Sequence, residues 1–272
     1  MAKPFLKWAG GKSRLVATIE PHLPDGRLIE PFAGSCALFL GSRFETAVLA
    51  DLNADLIALY RFLQGLDAPA FIDHAESFFT ESNNTESAFM RLRARFNATP
   101  IGDIDRAALF IYLNRHAFNG MCRYNAAGGF NVPYGKYKGP GFPREAMETF
   151  VARVAGCTFV HQGFQDTMAL AGKGDVVYAD PPYFPLSITA SFASYAKEGF
   201  GLTEQTALAH AARAAADRGA TVAISNHATP EAIALYESLG GDCSLQFGVR
   251  RSVSASAASR KEAPELLALF RP

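Results

Sequence analysis

RLIEPFAGSCALFL, residues 27–40, has the pattern of a short strand, a glycine turn and a helix. The next extended run, AVLAD, ends at Asp51, about 20 residues after Pro31. A strand, a turn that contains Gly34, a helix and a second strand, in this order, are typical of a βαβ unit. We therefore expect two parallel strands, with a glycine turn after the first and an acid at the tip of the second.

Strand and helix patterns alternate again in the second half of the chain. CTFVHQ, DVVYAD and ATVAIS have strand patterns, and TEQTALAHAARAAADRG has the pattern of an Ala-rich amphipathic helix. Two late β-like runs, CSLQFGV and ELLALF, favour an antiparallel close of a mostly parallel sheet. Residues 56–144 differ, because helical segments are followed there by a Gly-, Asn- and Tyr-rich stretch. The sequence predicts an α/β fold in which residues 56–144 are an insertion.

The charges of the chain are balanced but segregated. The 26 Lys and Arg residues equal the 26 Asp and Glu residues in number, so composition alone gives no reason to expect a nucleic-acid partner. Residues 1–19, 106–144 and 243–261, however, contain no Asp or Glu. We expect these three basic segments to converge on one face of the protein.

The cysteine pattern and the hydropathy pattern exclude several classes of protein. The four cysteines are far apart and form no CxxC pair, which argues against a zinc cluster or a disulfide framework and favours reduced thiols. No apolar run approaches the ~20 residues of a membrane span, and the first residues lack a signal-peptide pattern. We expect a cytoplasmic protein with no membrane association and no metal.

The segment 106–144 combines positive charge with planar side chains. Aromatic residues are interleaved with cations there, a combination that attracts a phosphate backbone and unstacked bases. The cations are Arg106, Arg115, Arg123, Lys136, Lys138 and Arg144. Asn119, Arg123, Asn125 and Asn131 are of the types that read base edges, and Lys136 and Lys138 suit phosphates. A solvated basic loop is the alternative, but such a loop normally mixes signs and needs fewer aromatic residues.

DPPY, residues 180–183, follows the apolar run DVVYA, at the end of a strand where open α/β sheets bind ligands. The two prolines stiffen the turn, so Asp180 and the Pro181 carbonyl become fixed acceptors and Tyr183 offers an aromatic face. Two acceptors on the hydrogens of adenine N6 favour a nitrogen whose lone pair can attack a methyl donor. For DPPY alone, a strand-ending turn capped by Asp180 is an equally good explanation. Its position after a strand favours a catalytic function.

The turn at residues 31–34 is a candidate cofactor site. Gly34 allows close approach of a ligand to the backbone, and the following helix N-terminus favours a carboxylate. Asp51 can accept hydrogen bonds from ribose hydroxyls, and Lys12 can meet the carboxylate. Together these groups suggest S-adenosyl-L-methionine. An ordinary tight turn with a capping Asp51 is the alternative, and Trp8 is as readily a core aromatic as part of the site.

Seven blocks of the sequence, in this order along the chain, resemble the DNA adenine methyltransferase (Dam) family, of the alpha group of N6-adenine amino-methyltransferases. The blocks are FLKWAGGK, EPFAGSCALF, ADLNADLI, FIYLNRHAFNGMCRYN with FNVPYGKYK, VVYADPPY, ISNH and RRSVSASAASRKEAPELLALF. The resemblance covers essentially the whole chain. It implies a Rossmann-like, S-adenosylmethionine-binding catalytic domain of residues 1–55 and 145–272, and a target (DNA) recognition domain of residues 56–144.

The resemblance also implies roles for individual residues in a reaction that flips adenine out of a GATC site in double-stranded DNA and methylates N6. The residues at the cofactor positions are Trp8, Lys12, Phe32, Gly34, Asp51, Asp166 and Asp180. The residues at the positions that hold the target adenine are Asp180, Pro181, Pro182 and Tyr183. The base-recognition positions are Lys7, Asn119, Met121, Arg123 and Pro133, with Phe118 intruding into the base stack. Arg115, Lys136 and Lys138 complete the predicted DNA-binding set. Cys36 departs from the family pattern, because it replaces the second glycine of FxGxG.

We expect a monomer that releases S-adenosyl-L-homocysteine and needs no metal. Two alternatives remain open from the sequence: an amino-methyltransferase that acts on another base, such as cytosine N4 or an RNA base, and a DNA-binding relative with impaired catalysis.

Overall fold

The computed structural model describes residues 2–184, 200–250 and 262–272, without the side chains of residues 249, 250, 262 and 263. Within these residues, seven strands belong to a mixed, mostly parallel sheet, as the sequence predicts. The strands are β1 Leu28–Glu30, β2 Ala47–Asp51, β3 Cys157–His161, β4 Val176–Ala179, β5 Thr221–His227, β6 Asp242–Arg250 and β7 Glu262–Phe270. The helices are α1 Val16–Ile19, α2 Ala37–Gly41, α3 Ala54–Gln64, α4 Ala68–Glu76, α5 Glu86–Ala98, α6 Ile104–His116, α7 Arg144–Arg153, α8 Phe164–Ala169, α9 Leu202–Asp217 and α10 Pro230–Ser238. Short 3₁₀ turns occur at Glu20–His22, Glu81–Asn83 and Phe118–Gly120.

The chain divides into two compact units. The first contains Met1–Thr18 and Ala33–His161, and the second contains Ile19–Phe32 and Gln162–Pro272. The segment 56–144 lies wholly within the first unit. Its assignment as a separate recognition domain stays a prediction.

The first unit combines two parallel strands with a group of helices. Strands β2 and β3 pair in register from Ala47 opposite Cys157 to Asp51 opposite His161. Helix α6 packs against α3, α4 and α5, and because neighbours cover it on several sides, almost every residue in it is buried. Helix α3 begins directly after β2, since the side chain of Asn53 accepts a hydrogen bond from the N–H of Leu56 and caps the helix.

A buried ion pair joins α3 to α6. Asp55 accepts hydrogen bonds from Nε and Nη2 of Arg106 at 2.5 and 3.1 Å. Arg106 also donates from Nη1 to the carbonyl oxygens of Phe96 and Thr99. Because all these groups are satisfied, removal of either partner would leave a buried charge alone, which is strongly destabilising. Arg106 is therefore part of the core, not of a DNA-reading surface.

The second unit contains the other five strands. Strands β1, β4 and β5 are parallel neighbours. Strand β7 pairs with β5 in antiparallel orientation, and β6 pairs with β7 in antiparallel orientation. The Ala-rich helix α9 buries a stripe on one face because small apolar side chains recur there at helical spacing. The stripe consists of Leu208, Ala209, Ala212, Ala215 and Ala216. As predicted, the antiparallel pair comes from the two late β-like runs.

Candidate active site

DPPY lies at the carboxyl end of β4. Asp180 is the first residue after the strand and is half-buried, as is Tyr183, while Pro181 is buried and Pro182 is exposed. Parallel strands bring their carboxyl ends to one edge of a sheet, so the segment that leaves β4 lies on the same edge as the end of β5. The predicted catalytic residues thus occupy the position where ligands of α/β proteins bind.

Two buried amide side chains hold the DPPY segment. Nε2 of Gln205 donates to the carbonyl oxygen of Pro182 at 2.7 Å, and Oδ1 of Asn226 accepts from the N–H of Phe184 at 2.9 Å. Nδ2 of Asn226 in turn donates to Oε1 of Gln205 at 3.2 Å and to the Tyr236 hydroxyl at 2.8 Å. These bonds fix the backbone on either side of Tyr183. Neither Gln205 nor Asn226 is predicted from the sequence to hold this segment, although the ISNH block contains Asn226.

Tyr183 is held at its hydroxyl and at its ring. Its hydroxyl donates to Oε2 of Glu265 at 3.1 Å, and its ring meets that of His227 edge to face, with centroids 4.8 Å apart. His227 is itself hydrogen-bonded through Nδ1 to the carbonyl oxygen of Phe184. Burial and the neighbouring Asp180 raise the pKa of Tyr183 well above its usual value, so the hydroxyl keeps its proton. Glu265 was also missed; the acid that precedes LLALF was its only signal.

The predicted cofactor turn is built around Gly34. Its N–H donates to Oδ2 of Asp51 at 3.0 Å, and its carbonyl oxygen accepts from the Tyr60 hydroxyl at 2.7 Å. Gly34 has φ +47°, and a Cβ there would come within 2.7 Å of the Trp8 ring. No side chain larger than glycine fits, and the indole lies directly against the turn.

Asp51 remains an acceptor at the tip of β2. Its Oδ1 accepts from the N–H of Asn53 at 2.8 Å. Burial raises the pKa of Asp51 above its usual value, and the hydrogen bonds from Asn53 and Gly34 oppose this shift. A carboxylate of this kind can accept from hydroxyl groups of a ribose.

The other predicted cofactor residues fall in both units. Lys12 is buried in the first unit, and its Nζ donates to the carbonyl oxygen of Gly10. In the second unit, Phe32 stacks on Phe164 at 5.6 Å and meets Phe200 edge to face. Asp166 is exposed in the first turn of α8. A close-approach glycine, an acceptor at a strand tip and a nearby cation fit an adenosine-type ligand that carries a carboxylate, as S-adenosylmethionine does.

Cys36 occupies the position of the expected second glycine. It has φ 57°, a left-handed conformation that glycine adopts more easily. Its side chain is fully buried, with Sγ 4.0 Å from the carbonyl oxygen of Gly34. The thiol is therefore buried, and the backbone at Cys36 has the left-handed conformation that suits a glycine.

Residues 121–131 form a hairpin, which we call the 121–131 hairpin. Tyr124 and Phe130 form an antiparallel β-bridge, and the N–H of Asn131 donates to the carbonyl oxygen of Arg123. Along 121–125 the exposed and half-buried side chains alternate, with Met121, Arg123 and Asn125 exposed. This alternation is the strand period of two.

The inward residues of the hairpin are anchored to the start of α3. The Tyr124 hydroxyl donates to Oδ2 of Asp55 at 2.7 Å, and Nδ2 of Asn53 donates to Sγ of Cys122 at 3.5 Å. Burial raises the pKa of Cys122 to about 11, so this thiol stays protonated. The strand that carries the predicted base readers is thus fixed to the helix that follows Asp51.

Three of the predicted base-reading residues, Arg123, Asn125 and Asn131, make different hydrogen bonds within the hairpin. Nε of Arg123 donates to Oδ1 of Asn131 at 2.9 Å, which orients the exposed guanidinium. Asn125 instead closes the turn of the hairpin, because its Oδ1 accepts from the N–H groups of Ala127 and Gly129. Oδ1 of Asn125 therefore has a structural role in the turn, and base reading by this residue stays a prediction.

Lys7 and Arg115 form a pair of cations without an acid partner among the described residues. Nζ of Lys7 lies 4.3 Å from the centroid of the Tyr137 ring. Burial and the charge of Arg115 lower the pKa of Lys7, and burial lowers the pKa of Arg115. Nε of Arg115 has no hydrogen-bond partner within residues 2–184, 200–250 and 262–272. The Tyr137 hydroxyl accepts from the N–H of Asn119, which has φ 54°.

The remaining predicted DNA-binding residues are exposed. They are Phe118, Met121, Pro133, Lys136 and Lys138. Phe118 is 50% exposed, whereas Phe130 is 2% exposed and packs in the core. Tyr134 donates to Asn84, and Phe142 packs against Phe79. Most aromatic residues of segment 106–144 therefore pack inside the protein.

One cation of the acid-free segment 106–144 is paired with acids from elsewhere in the chain. Arg144 pairs with Asp73 and Glu76, which lie outside its acid-free segment. Residues 251–261 fall outside the described residues, so the predicted convergence of the third basic segment is untested.

Of the described residues, no group of His, Cys, Asp or Glu is arranged to hold a metal ion, and no described helix has the length and apolarity to span a membrane. All four cysteines are free.

Known proteins resemble the chain along almost its full length. The family described as D12 class N6 adenine-specific DNA methyltransferase matches residues 8–249. The DNA adenine methylase of Vibrio cholerae serotype O1 is 44% identical over 99% of this chain and 96% of its own length. Those of Serratia marcescens and Escherichia coli K12 are 43% and 40% identical over 99% of this chain, and over 98% and 96% of their own lengths. The rRNA methyltransferase aviRa from Streptomyces viridochromogenes has a TM-score of 0.39 and 13% identity, covering 95% of this chain and 84% of its own. On the evidence of the family match and these full-length relatives, the chain belongs to the D12 class N6 adenine-specific DNA methyltransferase family.

Proposed function

We propose that this protein methylates N6 of adenine within GATC sites of double-stranded DNA, with S-adenosyl-L-methionine as methyl donor and S-adenosyl-L-homocysteine as product. It acts as a cytoplasmic monomer without a metal. The observation that carries the proposal is the position of DPPY after β4, with the Pro182 carbonyl and the Phe184 N–H held by Gln205 and Asn226. A segment fixed in this way is preorganised for a planar amine.

The catalytic residues act on the lone pair of N6. That pair is delocalised into the adenine ring, so N6 is a poor nucleophile. Asp180 and the carbonyl oxygen of Pro181 accept the two N6 hydrogens and favour a tetrahedral nitrogen, while Pro182 stiffens the turn and Tyr183 stacks on the base. Extrusion of the adenine costs a few kcal/mol of stacking and pairing, which stacking on Tyr183 and insertion of Phe118 offset.

The donor supplies a methyl group already activated by a positive sulfur. In our proposal, seven residues hold it: Trp8, Lys12, Phe32, Gly34, Asp51, Asp166 and Asp180. Gly34 lets the donor approach the protein backbone closely. Asp51 accepts hydrogen bonds from the ribose hydroxyls of the donor, and Lys12 pairs with its carboxylate.

The DNA-reading residues divide by chemistry. Arg123, oriented by Asn131, donates two hydrogen bonds to a guanine. Lys7, Asn119, Met121 and Pro133 contact the other bases. Arg115, Lys136 and Lys138 pair with phosphates, which fix register but carry no sequence information.

The test is incubation of the purified protein with unmethylated plasmid and the methyl donor, followed by single-molecule sequencing that reports modified bases in context. We expect N6-methyladenine confined to GATC. Asp180→Ala is expected to bind DNA normally and to lose methyl transfer. Asp217→Ala, which removes an exposed carboxylate paired with Arg213 on α9, is the matched control and is expected to keep full activity.

Other outcomes identify which part of the proposal fails. Methylation of adenine in another sequence retains the chemistry and overturns the base-reading assignments. Modified cytosine, or methylation of RNA alone, overturns the assignment of adenine in DNA as the substrate. Without any methylation, a titration with the donor that shows no saturable binding identifies a DNA-binding protein that lacks catalysis. Retained methylation by Asp180→Ala overturns the catalytic assignment.

A further inference from the structure

We propose that Glu265 is a positioning residue for methyl transfer: it holds the Tyr183 hydroxyl and, through that bond, makes the Tyr183 ring more electron-rich. This role rests on the proposed function, in which Tyr183 stacks on the target adenine. Nothing in the sequence motifs assigns a function to Glu265, because it lies in the antiparallel part of the sheet, away from DPPY in sequence.

The geometry places one carboxylate behind the aromatic ring of the catalytic motif. Glu265 is 8% exposed and accepts from the Tyr183 hydroxyl at 3.1 Å. It lies opposite His227 in the β5–β7 pairing, and the His227 ring meets the Tyr183 ring at 82°. The end of β5 and the start of β7 therefore fix Tyr183 at two separate points.

The buried position of Glu265 favours a functional role for its carboxylate. An acid with so little exposure loses most of its hydration, and proteins rarely bury one unless it is paired or hydrogen-bonded. A neutral acceptor would hold the hydroxyl equally well in geometric terms. A carboxylate, in addition, forms a stronger, charge-assisted hydrogen bond and pulls the proton away from the phenol oxygen.

That polarisation matters for a reaction that creates positive charge above the ring. When N6 takes the methyl group, the new N–C bond forms as the C–S bond breaks, the sulfur becomes neutral, and N6 carries positive charge until a proton leaves to water. The face of an aromatic ring attracts a cation, and the attraction grows with the electron density of the ring. Glu265 therefore stabilises the transition state through Tyr183 without touching the adenine.

The test is a double-mutant cycle of Glu265→Gln and Tyr183→Phe. The glutamine keeps an acceptor oxygen and removes the charge, and the phenylalanine keeps the ring and removes the hydroxyl. The readouts are the single-turnover rate constant at saturating donor and DNA, the DNA Kd, and the fluorescence of 2-aminopurine at the target base. Glu231→Gln, an exposed acid in the first turn of α10, is the matched control.

We expect Glu265→Gln to lower the rate constant about tenfold, with unchanged Kd and 2-aminopurine fluorescence. In the Tyr183→Phe background the same change is expected to have less than about a twofold effect, because the path through the hydroxyl is already gone.

Each contrary result has a distinct meaning. An equal loss in both backgrounds shows that Glu265 does not act through Tyr183 and overturns the role. Weaker extrusion of the base, or a lowered Tm, shows a structural role instead and also overturns it. An active wild type with an unaffected Glu265→Gln variant overturns only this inference, whereas a wild type that does not methylate adenine overturns the proposed function as well.

Discussion

A single side chain, the amide of Asn114, binds both backbone polar groups of Lys7. The N–H of Lys7 donates to Oδ1 at 2.9 Å, and Nδ2 donates to the Lys7 carbonyl oxygen at 2.7 Å. The same Nδ2 lies 3.1 Å from the carbonyl oxygen of Gly120. Gly120 has φ +63°, and a Cβ there would come within 2.5 Å of the Lys7 side chain. The N-terminal segment is thus tied to the turn that carries Asn119.

We expect Asn114→Ala to lower the free energy of unfolding by about 2–4 kcal/mol, because three backbone groups lose their partner. DNA binding should weaken in addition, since the Lys7 backbone is no longer fixed. Urea denaturation and fluorescence anisotropy measure the two effects. Gln64→Ala, which removes two hydrogen bonds to the carbonyl oxygens of Val154 and Cys157, is expected to destabilise the fold without the second effect. Equal DNA affinities for the two variants would contradict the prediction.

Arg123→Ala and Lys138→Ala are expected to have different effects on DNA recognition. Loss of a two-bond contact to guanine should cost about 1–3 kcal/mol at one base pair and relax specificity there. Loss of a phosphate contact should weaken all sequences alike and reduce the slope of log K against log salt by about 1. Methylation rates on duplexes that differ by one base pair, measured at several salt concentrations, separate the two patterns. A uniform loss with Arg123→Ala argues against base reading by that residue.

Substitutions at Cys36 test the shape of the cofactor turn. Cys36→Gly keeps the left-handed backbone and should leave donor binding within about tenfold of wild type. Cys36→Val should abolish binding or folding, because a β-branched residue is poorly tolerated at φ 57°. Calorimetric titration with the methyl donor, together with circular dichroism, checks both. Normal binding by the valine variant would show that the turn relaxes freely.

His116 is expected to make the fold sensitive to acid. Burial lowers the pKa of His116 to about 4, and its ring stacks on Tyr112 at 3.9 Å. Below a pH of about 6.5 the unfolded chain binds a proton that the folded protein excludes, so stability falls as the pH falls towards 4. Between pH 7 and pH 5 the loss should be about 2 kcal/mol.

Urea midpoints at the two pH values measure this loss, and the His116→Gln variant should lack it whatever its absolute stability. His210→Gln, on the exposed face of α9, should retain the pH dependence of the wild type. If His116→Gln and the wild type lose stability in parallel, another group is responsible.

The patterns along single strands and turns carried most of the correct predictions. The mixed, mostly parallel sheet follows from apolar runs separated by helical spacing, and DPPY follows from the end of such a run. These are local signals, since strand period and turn chemistry are written in neighbouring residues.

What could not be predicted are the partners that lie far apart in sequence. Arg106 is predicted as one of the cations of the basic segment 106–144, yet it pairs with Asp55 in the core. Tyr134 and Phe142 look like stacking platforms, but Tyr134 donates a hydrogen bond to Asn84 and Phe142 packs against Phe79. Glu265 and Gln205 bond to the DPPY segment from 82 and 23 residues away, and no spacing rule connects such positions.

The alternation along residues 121–125 separates two tasks within five residues. Cys122 and Tyr124 keep the strand in place, while Met121 and Arg123 point outward and carry none of that anchoring. If Met121 and Arg123 read bases as we propose, replacement of these outward residues alone would change the target sequence without a new scaffold. For protein engineering, a library that randomises positions 121 and 123 and preserves 122 and 124 would explore altered specificity among folded variants. Under the same proposal, natural selection could move from one recognition sequence to another through few substitutions.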